Sequence, residues 1–121
     1  MEEREPISPS IRRYRTNRNE ARAALLQIAT NQERFYLQNN TYTTTISGAS
    51  GLNADTKSEK GYYDATAAAC TGGAIGNCFL ITVTANGVQA AADDKCRSFA
   101  IDSTGVKTSK DKSGNASTDC W

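Results

Sequence analysis

The chain has 121 residues, room for one domain with a modest core and little stability to spare. Its 14 basic and 13 acidic residues leave a net charge of +1, which excludes a chain-wide attraction to nucleic acid or an anionic membrane. Histidine is absent, which removes the commonest general base and the commonest metal ligand.

Residues 1–10 carry charges, Pro6 and Pro9 but no periodicity. They read as a flexible leader, with Met1 to Glu5 added for expression, so that the globular domain spans 11–121. From about 17 to 38 the pattern is helical. Ala21, Ala24, Leu25, Ile28, Gln32 and Phe35 recur at three- and four-residue steps and form the expected core face. Leu25 and Phe35 are both expected to be buried. Asn17 or Asn19 could cap the helix, or it could be the downstream half of a longer one. Asn39-Asn40 ends it, because asparagine tolerates left-handed geometry.

Residues 41–60 are rich in Thr, Ser and Gly and read as a connecting loop, pinned by Tyr42, Ile46 and Leu52. The remainder, about 61–108, reads as a sheet of short strands. Candidates are Tyr62 to Ala67, Phe79 to Ala85, Arg97 to Ile101 and Val106 to Thr108. Asn86-Gly87 reads as a turn dipeptide between strands, and Asp93-Asp94 as a solvated turn. One long helix followed by segregated strands means an α+β fold, with the helix packed across one face of a small antiparallel sheet of about four strands.

Cys70, Cys78, Cys96 and Cys120 are not spaced as zinc or thioredoxin motifs. An even count in a small loop-rich chain favours two disulfides and an oxidising compartment, with three pairings open. The strongest apolar run, Phe79 to Val83, is too short to span a bilayer. An exported chain therefore implies an export segment upstream.

Phosphate-binding, nucleophile and metalloprotease motifs are missing, so there is no positive sign of an enzyme and no cofactor or metal site is expected. Asp102 with Asp111 or Asp119 lacks calcium-loop spacing. Arg12, Arg13, Arg15, Arg18 and Arg22 could touch phosphate, but a solvated helix face or the rim of a protein interface is the favoured reading.

The run from Thr16 to Ala29, the motif Gln32-Glu33-Arg34-Phe35-Tyr36-Leu37-Gln38-Asn39-Asn40-Thr41-Tyr42-Thr43, the strand from Cys78 to Ala85, the stretch from Asp93 to Gly105 and the ending Cys120-Trp121 together resemble a type IV minor pilin of the PilE type. The resemblance implies a helix on a four-stranded antiparallel sheet, an αβ-loop near 41–60, and a C-terminal loop closed by Cys96–Cys120, with Cys70–Cys78 closing a local hairpin. It implies a non-enzymatic structural subunit that supports assembly and so twitching motility, adhesion or DNA uptake. Its partners would be major and minor pilins and the assembly machinery. It would reach the pilus surface from a periplasmic precursor held in the inner membrane by an apolar helix half that this sequence lacks. The isolated domain is expected to be monomeric. The alternatives are a type II secretion pseudopilin, which usually carries calcium, and a pilus-tip module that binds DNA or a surface ligand.

Overall fold

The computed structural model describes residues 9–121, so most of the expected leader lies outside the described residues. Helix α1 spans Pro9–Asn39. It therefore includes Pro9 and Ser10 and extends well upstream of the expected start near 17. Proline suits a first helical turn, and the Arg-rich residues that follow are good helix formers. Asn17 and Asn19 lie inside the helix rather than at its cap. At the other end Asn40 adopts φ 60° and its N–H donates to the Tyr36 carbonyl at 2.7 Å, stopping the helix in the left-handed conformation.

After the αβ-loop come β1 (Tyr63–Ala68), β2 (Leu80–Ala85), α2 (Gly87–Ala92), β3 (Ser98–Asp102) and β4 (Lys107–Lys110). The strands form one antiparallel sheet in the order β1-β2-β3-β4. The expected Asn86-Gly87 hairpin turn is instead the entry to α2. The Asn86 side chain bonds Gly61 and Asp64 rather than closing a turn, and the alanine-rich residues that follow favour a helical turn.

Alternation sorts the sheet into two faces. Tyr63, Ala65, Ile81, Val83, Phe99 and Ile101 face α1, where Ala21, Leu25 and Ile28 meet them. Ile46 and Leu52 of the αβ-loop and the Cys96 and Cys120 sulfurs complete the core. Phe35 is only half-buried, contrary to expectation. It packs against the margin of the core and, with αβ-loop residues Gly51 and Leu52, lines a surface depression of about 210 Å³. One turn earlier the buried side chain is Gln32, which donates to the Thr43 carbonyl (2.6 Å) and accepts from the Thr43 N–H (3.1 Å).

Candidate nucleic-acid interface

Helix α1 carries a row of polar side chains, and each holds a different point of the connecting segments. Gln32 holds the start of the αβ-loop. Glu20 holds its end, accepting from the Ser58 hydroxyl and from the Lys60 and Tyr62 N–H groups at 3.1 and 3.3 Å. Arg18 grips Asp93 through two hydrogen bonds, Nε to Oδ2 at 2.7 Å and Nη2 to Oδ1 at 2.8 Å. Arg22, one turn on, donates to the Cys120 carbonyl. Two of the five clustered arginines are thus committed to the fold. Arg13 and Arg15 remain exposed.

Asp93 is the clearest departure from the sequence reading. It is 1% exposed, not part of a solvated turn. Besides Arg18, its carboxylate accepts the Cys96 N–H at 3.2 Å. Buried Gln89 sits beside it, donating to the Tyr63 hydroxyl at 3.0 Å and the Tyr14 carbonyl at 2.9 Å, and accepting from Asn17 at 3.1 Å. A carboxylate this deep persists only when paired and hydrogen-bonded. Donating both bonds to the Asp93 carboxylate holds the Arg18 guanidinium above its ordinary pKa. Burial pushes the Tyr63 phenol up to about 12.

The bridges are Cys70–Cys78, eight residues apart, and Cys96–Cys120, 24 apart. The first closes the β1–β2 connection over Gly73, where a Cβ would fall 2.4 and 2.6 Å from the two sulfurs. The second closes a loop around β3 and β4. Within it the Ser117 N–H donates to the Ser109 carbonyl (3.0 Å), and the Lys112 N–H ties it to the Asp94 carbonyl just before the bridge (2.8 Å). Trp121 packs edge-on against Phe99 and donates from Nε1 to the Thr108 carbonyl at 2.8 Å.

Beside the Cys96–Cys120 bridge lies a wide-open surface cleft of about 480 Å³, lined by Asp94, Lys95, Asp111, Lys112, Ser113 and Thr118 among others. Lys112 faces Asp94 at 3.4 Å and Lys95 faces Asp119 at 3.6 Å. On the adjoining edge strand Lys107 lies over the Trp121 ring at 5.3 Å, and Lys110 is exposed. Neither has an acidic partner among the described residues. Lysines on an exposed edge also block strand addition. Hydroxyls and ammonium groups on one open surface can hold phosphate oxygens.

The three aspartates weighed as a calcium set are apart in role. Asp102 accepts from Thr104 and the Val106 N–H within its own turn, which lowers its pKa. The Asp111 carboxylate accepts from the N–H groups of Ser113 and Asn115. No cluster able to hold a metal ion occurs among the described residues.

Of the residues singled out in the sequence, Ala21, Leu25, Ile28, Cys96 and Cys120 lie in the core, while Cys70 and Cys78 lie together at the surface loop. The Arg18–Asp93–Gln89–Tyr63 network and the lysine cleft were not singled out. Arg18 and Asp93 are 75 positions apart, so only the folded topology joins the network; the lysines lie within the last third of the sequence, and the turn back of β4 and the closing bridge set them on one surface.

Two solved structures share this architecture. One is a type IV pilin from Shewanella oneidensis, with TM-score 0.58 and 21% identity over 89% of this chain and 97% of that one. The other is the Neisseria meningitidis non-core minor pilin PilV, with TM-score 0.60 and 16% identity over 88% and 96%. At these identities they speak for the pilin fold alone. No curated protein sequence matches the chain. The family model described as type IV minor pilin ComP, DNA uptake sequence receptor, matches residues 10–100. The chain belongs to this family of type IV minor pilins, non-enzymatic subunits that join other pilins in a surface filament.

Proposed function

We propose that this minor pilin is a receptor for DNA at the pilus surface, reading a short uptake sequence for transport into the cell. The observation that carries the reading is the family match over residues 10–100, whose described role is that of a DNA uptake sequence receptor. The contact surface is the disulfide-closed C-terminal segment. Lys95, Lys107, Lys110 and Lys112 are exposed there, with the hydroxyls of Ser113 and Thr118 beside them. Lysines and hydroxyls engage phosphates and set position, whereas sequence is read at base edges.

α1 is the element that would continue upstream into a membrane anchor; no helix among the described residues is itself long and apolar enough to cross a membrane. The domain without that continuation is monomeric, and its precursor is periplasmic.

Selection from a pool of random duplexes tests the receptor reading. The expected result is enrichment of one short motif over successive rounds. Recovery of duplexes with no shared motif, or of none above background, contradicts it and leaves a purely structural subunit.

A further inference from the structure

We propose that Asp94 and Asp119 are specificity-determining residues, which compete with DNA phosphates for the cleft lysines and hold sequence-independent binding down. The proposal rests on the receptor reading above. A receptor that selects one short sequence needs a large ratio of specific to non-specific affinity. The non-specific term comes almost entirely from lysine and arginine contacts to phosphate. Lowering that term raises the ratio as surely as adding base contacts does, which is selection by repulsion of the wrong partner.

The structure places the two acids to do this. Asp94 Oδ2 lies 3.4 Å from Lys112 Nζ, and its other oxygen 3.9 Å from Arg97. Asp119 Oδ2 lies 3.6 Å from Lys95 Nζ. A phosphate that contacts either lysine must approach a carboxylate of like charge. Asp102 and Asp111 cap their own turns, whereas among the described residues no hydrogen bond is made to the carboxylate of Asp94 or Asp119 beyond these ion pairs. Exposed pairs of this kind add little to folding, and the side chains involved are 53–84% exposed for Lys95, Lys112, Asp94 and Asp119.

The neutral variants Asp94→Asn and Asp119→Asn test the idea without disturbing the fold. Asp119 has φ 64°, a conformation that asparagine adopts readily. Glu59→Gln is the control, removing one exposed acid near the β1 edge, across the sheet from the cleft. Binding to a scrambled duplex is read by fluorescence anisotropy over a salt series, alongside thermal melts. Each cleft variant is expected to bind scrambled DNA about 3- to 10-fold tighter, with the log–log salt slope steeper by about one per freed lysine. The preference for the selected motif should fall, and melting should be unchanged. Unaltered binding to scrambled DNA in the cleft variants, or an equal gain in Glu59→Gln, overturns the proposal. Wild-type preference for the selected motif, measured without any variant, reads the receptor function separately, so one can fail while the other stands.

Discussion

Removing the Asp93 carboxylate would leave the Arg18 guanidinium, 13% exposed at its side chain, without its partner, and the Cys96 N–H without its acceptor. Asp93→Ala should therefore cost about 3–5 kcal/mol in urea unfolding. Replacing both members, Arg18→Met with Asp93→Leu, should cost clearly less, since no charge is then stranded. Equal losses would mean that the pair itself, and not the stranded charge, sets the energy. Tyr63 adds a pH signature. Its phenol has pKa about 12 against an ordinary 10.0, so the folded state binds a proton that the unfolded state releases in that window. Stability from this group is complete below pH 10 and falls by roughly 1.4 kcal/mol per pH unit until it levels near pH 12. Tyr63→Phe should flatten that decline; an identical alkaline profile would contradict it. At the same scale, Leu25→Ala should cost about 2–5 kcal/mol, and half-buried Phe35→Ala only about 1–2 kcal/mol. Periodicity identified the face of α1 but not how deep each position on it lies, which is why half-buried Phe35 read like Leu25. Asp93 read as a turn because its partner lies 75 positions away.

Elements differ in how they are tied down. α1 packs by Ala21, Leu25 and Ile28, but its polar residues decide where the loops rest. The sequence shows those residues plainly and their partners not at all. The two disulfides act at different lengths. In the chain-entropy account, loss of Cys96–Cys120, separation 24, should cost about 3.5 kcal/mol, and loss of Cys70–Cys78, separation 8, about 2.5 kcal/mol. A Cys96→Ser/Cys120→Ser variant should lose amide protection across 111–117 while α1 stays protected. Backbone bonds, Arg22 and Trp121 also hold this loop, so unchanged exchange there would show that they suffice without the bridge. α2 was missed because Asn-Gly carries a strong turn signal, and tertiary bonds from Asn86 to Gly61 and Asp64 override it.

The whole molecule joins a fold that was legible to a surface that was not. One amphipathic segment followed by alternating apolar runs leaves few architectures other than a helix on an antiparallel sheet. The lysine cleft depends on β4 folding back on β3 and on the bridge that returns Cys120 to Cys96, so spacing alone cannot show it. Near-neutral charge also argued against nucleic acid, because it averages lysines and aspartates that the fold sets face to face. The most direct test of the receptor account is competition binding of the wild-type domain to the selected duplex and a scrambled duplex of equal length, across a salt series. The account predicts a preference of about 10³-fold or more. It also predicts a shallow salt dependence, in keeping with few phosphate contacts. Equal affinity for the two duplexes at every salt concentration would contradict it.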